Sequence, residues 1–215
     1  MKKIAIILNG DRIKSKSQLL VIKNSDLIIA ADGGANNIVV NGIIPNIVVG
    51  DMDSIDPDVY SKINNGLTKL IKYKREKDKT DSELAVELAI ENGAWQIDIF
   101  GMIGDRFDHL LSNVFLLSKF AKKAHIIIHQ KNIRMYYLFD RLNLVGKRGD
   151  ELSVIPLSPD VQGVTTIGLK YELKNETLSF GGTRGVSNVF TSDKASINVS
   201  SGKLIVIHRD LSKMV

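Results

Sequence analysis

The chain has no cysteine among its 215 residues. That excludes a disulfide framework, thiolate-bound zinc, iron–sulfur clusters and a cysteine nucleophile, and leaves any metal to oxygen or imidazole ligands. No apolar run approaches the roughly 18 residues a membrane helix needs. The start, Met1-Lys2-Lys3 followed by an apolar run, has the charge of a signal peptide, but Asn9, Gly10 and Asp11 end that run too early. A cytoplasmic protein without membrane attachment is expected. Neither sign of charge is concentrated. The formal net charge is +5, with 19 basic and 17 acidic residues in 1–140 and 10 and 7 in 141–215, so nucleic acid is not implied as a partner. Gly-x-Gly-x-x-Gly and Gly-x-x-x-x-Gly-Lys-Ser/Thr are both missing, which removes the two commonest glycine-loop signatures for nucleotides.

Up to about residue 140, short apolar runs alternate with amphipathic stretches of helix length, the pattern of parallel strands joined by helical crossovers. The strands are expected at 3–8, 26–31, 47–49, 69–72, 96–100 and 125–129. Several end in Gly, Asp or Asn, and loops at the carboxyl ends of parallel strands are where open α/β sheets bind ligands. Two helices are well signalled. One opens with the capping box Thr80-Asp81-Ser82-Glu83. The other runs from about Arg106 to Lys119, with Phe107, Leu110, Leu111, Val114 and Leu117 expected in the core and Arg106, His109 and Asn113 on a polar face. After Asp140 the texture changes to short strands at 151–156, 163–168, 177–180, 196–200 and 203–208, with Gly, Pro, Asn and Ser between them. The reading is an α/β domain at 1–140 followed by a small all-β sandwich or barrel at 141–215. No Ser/Gly linker separates them, so docked parts are expected.

Four segments can carry chemistry. In Gly50-Asp51-Met52-Asp53-Ser54 two carboxylates follow a strand one residue apart. An extended backbone would point both to one side, where they could hold a hard divalent cation with phosphate oxygens and water. The alternative is that Asp51 shapes a turn and Asp53-Ser54 cap a helix starting near Asp56-Pro57. In Arg75–Ser82, Lys77 or Lys79 offers a mobile charge to polyphosphate at a helix start and Asp81 a further metal ligand; Thr80 is equally explained as a cap. In Gly101-Met102-Ile103-Gly104-Asp105-Arg106-Phe107-Asp108-His109 the glycines allow close backbone approach and Arg106 can bind phosphate. His109 is either a proton carrier or a polar helix residue. The fourth segment, Ser179–Asn188, is richer in small hydrogen-bonding residues than a tight hairpin requires, as either a binding loop or a plain connection.

Taken together and in this order, Ala31-Asp32-Gly33-Gly34-Ala35, Gly50-Asp51-Met52-Asp53-Ser54, Lys77-Asp78-Lys79-Thr80-Asp81-x-Glu83, Gly101-x-x-Gly104-Asp105-Arg106-Phe107-Asp108-His109 and Gly185-Val186-Ser187-Asn188 resemble the thiamine pyrophosphokinase family. Two departures stand out: Asp105 replaces a frequent second glycine, and Val189 follows where an acidic residue is common. The resemblance implies a Rossmann-like parallel-sheet domain and a β-sandwich, working as a homodimer with active sites between subunits. It implies transfer of the pyrophosphoryl group of ATP to the hydroxyl of thiamine, giving AMP. Asp51, Asp53 and Asp81 would hold Mg²⁺ while Lys77 and Arg106 neutralise phosphate, and Asp108 is the candidate proton acceptor, with Asp51 or Asp53 as the alternative. Asp32, Gly33, Gly34, Thr80 and His109 would form the nucleotide pocket. Ser187 and Asn188 would bind thiamine, with Phe190 as aromatic surface. Two rival readings remain at this point. One is another metal-dependent nucleotide enzyme, such as a nucleotide-sugar transferase using Asp51-x-Asp53; the other is a non-catalytic phosphate or nucleic-acid binding module using the basic stretch 69–79.

Overall fold

Runs of Ile, Val and Ala too short for helices, each ended by a turn residue, form the parallel strands of the first half. In chain order the elements are β1 (Lys2–Ile7), α1 (Lys16–Lys23), β2 (Leu27–Ala31), α2 (Gly34–Val39), β3 (Ile47–Gly50), α3 (Pro57–Ile63), β4 (Lys69–Lys72), α4 (Asp81–Glu91), β5 (Ala94–Phe100), α5 (Phe107–Phe120) and β6 (His125–Gln130). A computed structural model describes residues 1–64 and 66–211. They fall into two units, Met1–Gln130 and Lys131–Val215. The division lies at 130, not at the expected 140. Residues 133–138 form a strand of the second unit, β7 (Ile133–Leu138), which pairs along its length with the last strand.

In unit 1 the strand order is β6-β5-β1-β2-β3-β4, parallel throughout. The chain builds outward from β1 to β4 on one side, then crosses back to add β5 and β6 on the other. Ala5, Ile7, Ala30, Val48 and Phe100 lie on one face in a core with Ile22, Ile38, Val59 and Ile63 from α1, α2 and α3. The period-2 alternation sends Ile4 and Ile6, also fully buried, to the opposite face. Each such isoleucine contributes about 2 kcal/mol of burial before entropy is counted.

Thr80 is the N-cap of α4, accepting the Glu83 N–H at 3.2 Å. The return arm of the expected box is not made, because Glu83 lies 3.3 Å from Lys119 Nζ instead. α5 forms where expected and buries part of the expected stripe, Leu117 fully and Leu110 and Val114 in part, while Phe107 and Leu111 stay out. Asn113, Leu117 and Phe120 are inside, whereas Phe107, Leu111 and Phe115 are exposed, at 74%, 53% and 54%. The helix carries apolar residues on more than one side, so periodicity alone could not choose between them.

Unit 2 continues with β8 (Arg141–Val145), β9 (Glu151–Pro156), β10 (Asp160–Ile167), β11 (Glu176–Ser179), β12 (Asn188–Val189), β13 (Lys194–Asn198) and β14 (Leu204–Arg209). They pair antiparallel in the orders β12-β9-β14-β7 and β11-β10-β13-β8. Both sheets contribute to a single core that includes Leu144, Val154, Val164, Phe190, Ile197 and Val206, the organisation of a sandwich. Among the described residues unit 2 has no α-helix. One buried carboxylate organises its end: Asp150 lies 2.8 Å from His208 Nε2 and accepts the Lys147 and Leu211 N–H groups at 2.9 and 3.1 Å.

Candidate functional site

All five loops that leave the carboxyl ends of β1 to β5 face one cavity of about 590 Å³ in unit 1. It lies at the carboxyl ends of the strands, at the point where the strand order reverses, as open parallel sheets place ligands. The volume suits a nucleotide-sized molecule.

Asp32 follows β2 in a left-handed conformation, φ 46°, and its N–H donates to Val49 O at 2.8 Å. The turn carries its carboxylate beside the loop after β3. Asp51 and Asp53 converge there through a second left-handed residue, Met52 at φ 69°, and the Asp53 N–H donates to Asp51 Oδ1 at 3.2 Å. The pair therefore shares a side because the chain turns, not because an extended strand persists. Helix capping does not explain it either: α3 starts at Pro57 with Asp56 as its N-cap and no side-chain cap. The loop is braced by Asn36, which donates to Ser54 O at 2.9 Å and accepts the Asp56 N–H at 3.0 Å.

Oxygens of Asp32, Asp51 and Asp53 lie within 4.8 Å of one another. Asp32 is 8% exposed and its Oδ1 is buried with no hydrogen-bond partner. Such an oxygen costs about 1–3 kcal/mol or more unless something satisfies it. Three carboxylates of which one is buried and unpartnered fit a hard divalent cation. Gly50 makes the grouping possible. Its φ is 147°, and an added Cβ would sit 2.9 Å from Asp32 Cβ and 3.2 Å from Asp81 Oδ1.

Asp81, expected beside Asp51 and Asp53, stands behind this group. It is the first residue of α4, with Lys77 Nζ 3.1 Å from its Oδ1. Burial pushes its carboxyl above the ordinary range, against the opposing pull of Lys77, and Asp32 and Asp51 add to the upward shift. Of the two lysines weighed for polyphosphate, Lys77 is turned inward, whereas Lys79 is held by Glu87 at 2.7 and 2.8 Å. Arg75 approaches Asp53 at 3.7 Å from solvent.

The loops after β1 and β5 are stitched together. Leu8, Gly10 and Asp11 donate their N–H groups to the carbonyls of Phe100, Gly101 and Ile103 at 2.8, 2.8 and 2.6 Å. Buried Asn37, which sequence reasoning passed over, donates to Leu8 O and Gly10 O, both at 3.0 Å. Thr80, Asp105, Arg106, His109 and buried Asn113 line the cavity; Gly33 and Gly34, expected there, begin α2 outside the lining. Asp108 is also outside it. Its carboxylate is held by Arg106 at 2.9 and 2.6 Å, and this pairing pulls its pKa well below the usual carboxylate range. A weak base facing solvent is poorly suited to accept a substrate proton.

In unit 2, Ser187 is exposed in a left-handed turn, φ 59°, with its N–H donating to Ser153 Oγ at 3.0 Å. Asn188 is 5% exposed and internally committed, accepting from Tyr171 N and Val189 N at 3.0 and 2.9 Å and donating to Tyr171 O at 2.7 Å. Its side chain orders the backbone and does not present a ligand contact. Phe190, at 1% exposure, is core and stacks near His208.

Comparison with known proteins agrees with this arrangement. The family model "Thiamin pyrophosphokinase, catalytic domain" matches residues 19–129, and "Thiamin pyrophosphokinase, vitamin B1 binding domain" matches 141–204. The thiamine pyrophosphokinase of Bacillus subtilis (strain 168) is 34% identical over 212 residues, covering 96% of this chain and 98% of that protein. Thiamine pyrophosphokinase 3 of Oryza sativa subsp. japonica is 27% identical over 80% of this chain and 74% of its own length. The Bacillus subtilis crystal structure superposes with a TM-score of 0.87 at 28% identity, over 98% of this chain and all of that one, 100%. The Candida albicans thiamin pyrophosphokinase shares the fold, with a TM-score of 0.82 at 20% identity over 97% and 89% of the two chains. With both of its units matched in order and a relative of like length aligned nearly end to end, the chain belongs to the thiamin pyrophosphokinase family.

Proposed function

We propose that the chain is a thiamine pyrophosphokinase that transfers the pyrophosphoryl group of ATP directly to the hydroxyl of thiamine, releasing AMP and thiamine diphosphate. The observation that carries this reading is the meeting of three carboxylates and two phosphate-directed cations, Lys77 and Arg106, around one cavity at the strand-order reversal. Phosphoryl-type transfer asks little covalent help of a protein; it asks for charge neutralisation and in-line positioning. Asp32, Asp51 and Asp53 would hold Mg²⁺, with Asp81 behind them. When bound, the ion supplies Lewis-acid charge to phosphate oxygens. Lys77 and Arg106 neutralise the rest of the polyphosphate, and Thr80 and His109 border the nucleotide. Thiamine would contact the Ser187 turn, which Ser153 Oγ holds through the Ser187 N–H. Its hydroxyl proton passes to a cavity carboxylate, Asp51 or Asp53, and not to Asp108. A nucleotide-sugar transferase would use Asp51-x-Asp53 but leaves Lys77, Thr80 and Arg106 without work.

The enzyme is cytoplasmic and a homodimer in this reading. Among the described residues no helix is long and apolar enough to cross a membrane. Phe107, Leu111 and Phe115 fall at i, i+4 and i+8 on the exposed side of α5, an apolar stripe suited to a second copy. The stripe begins next to Arg106 and His109, so a partner covering it reaches the cavity mouth.

Incubation with ATP, Mg²⁺ and thiamine should yield AMP and thiamine diphosphate in equal amounts. ADP as co-product, or turnover indifferent to thiamine, would overturn the assignment. A second expectation separates Asp108 from proton transfer: Asp108→Asn should leave kcat at neutral pH within about threefold of the parent. A fall of about a hundredfold or more that is relieved at higher pH would restore it as the base.

A further inference from the structure

Lys77 differs from the other cations of the site. Arg75 and Arg106 are largely exposed, and Lys79 is engaged by Glu87. The Lys77 side chain is only 16% exposed, with Nζ 3.1 Å from Asp81 Oδ1 and 3.3 Å from the Lys74 carbonyl. Although the distance is short, Asp81 Oδ1 has no well-aligned hydrogen bond, so the pair is held by charge more than by direction. That oxygen is buried, and it lies against the same face of Gly50 as Asp32. It is thus the carboxylate oxygen next in line to the group formed by Asp32, Asp51 and Asp53.

We propose that Lys77 and the divalent cation compete for Asp81, and that polyphosphate resolves the competition by engaging the Lys77 ammonium and freeing Asp81 for the metal. The inference rests on the reading of the cavity as a cation and polyphosphate site. A buried carboxylate next to other carboxylates needs a counter-charge, and a lysine on a flexible four-carbon stem is a counter-charge that can be exchanged. Lys77 sits on the loop between β4 and α4, at the rim where phosphate would enter. Engaging phosphate removes the ammonium from Asp81 and raises the affinity of the carboxylates for metal. By linkage, metal on Asp81 frees Lys77 for phosphate to the same extent. Positioning by Lys77 thereby makes the two ligands support each other, beyond any contact they make directly.

The test is a double-mutant cycle read by Mn²⁺ binding to the full chain alone, without nucleotide, using electron paramagnetic resonance or calorimetry. Lys77→Met should bind Mn²⁺ about tenfold more tightly than the parent, and Lys77→Gln should do the same if one of the two folds poorly. Asp81→Asn alone should change Mn²⁺ affinity by less than about twofold, because Lys77 already occupies that carboxylate. Combining Lys77→Met with Asp81→Asn should erase the gain. Lys79→Met should lie within about twofold of the parent. Unchanged or weaker binding by Lys77→Met overturns the competition. So does an equal gain in Lys79→Met, which would mean a general field effect, or a gain that survives Asp81→Asn. Failure of the parent and every variant to bind Mn²⁺ would instead remove the cation site itself.

Discussion

Asp53→Asn should lower kcat by about a hundredfold or more while leaving the fold intact. Its carboxylate is half exposed, contacted by the Ser54 hydroxyl at 2.9 Å and approached by Arg75 at 3.7 Å. Neither contact anchors the core, so the change should cost no more than about 0.5 kcal/mol of stability. What asparagine removes is one of three charges that converge within 4.8 Å. Losing a charge aimed at the reacting group typically costs about 10²–10³ in rate. Asp58→Asn gives the matched control: it replaces an exposed carboxylate in the first turn of α3, away from the cavity lining, and should be neutral. Retention of more than about a third of parental activity by Asp53→Asn would show that Asp53 does not hold the cation.

Gly10→Ala should be among the most damaging single methyls in unit 1. A Cβ at Gly10 would run into the Ile103 and Gly101 carbonyl oxygens and lie 2.8 Å from the Ile103 carbonyl carbon. These are backbone atoms in the seam that joins the loops after β1 and β5, so no side chain can swing away to make room. The loops must part, breaking the Gly10–Gly101 and Asp11–Ile103 hydrogen bonds. A loss of about 2–4 kcal/mol is expected, together with at least tenfold lower kcat, because both loops line the cavity. Gly93→Ala makes the comparison meaningful. Gly93 has φ 82° but nothing within 4 Å of an added Cβ, so it isolates conformational strain, about 1 kcal/mol, from crowding. Urea unfolding of the two variants should rank Gly10→Ala as the less stable; the reverse order would mean that the seam yields easily.

Much of this architecture can be read from the sequence, and what cannot has physical causes. Most of the six parallel strands are legible because they are runs of buried aliphatics, several ended by Gly, Asp or Asn, although β4 is a half-exposed Lys-Leu-Ile-Lys. β7 and β8 escape notice because β7 is only half-buried along most of its length and lacks a clean alternation, while β8 alternates over just five residues; pairing with β14 and β13 makes them strands. The acidic site is half legible. Asp51 and Asp53 stand together in the chain, but Asp32 joins them only because two residues adopt left-handed φ, which no local pattern announces. Asn36, Asn37, Asn113 and Asn188 give no sign in sequence of what their amides do, although Asn188 is expected at the thiamine end. In the structure three of them brace backbone and one lines the cavity, since an amide can accept and donate at once and so fills gaps that a carboxylate cannot. Asp108 misleads for a related reason: a neighbour two residues earlier, Arg106, takes both of its oxygens.

The seam between the first and fifth loops also limits which main-chain amides an anion in the cavity could meet. Leu8, Gly10 and Asp11 direct their amides to the opposite loop, and Asn37 claims the carbonyls of Leu8 and Gly10. Phosphate receptors built from main-chain amides hold their ligand with groups that most substitutions, proline apart, leave in place. Here those three amides are already committed, so an anion in this cavity would meet the Lys77 and Arg106 side chains in their place. Where side chains hold the phosphates, each contact can be altered by a single substitution, whereas the seam beneath has no room for a Cβ at Gly10.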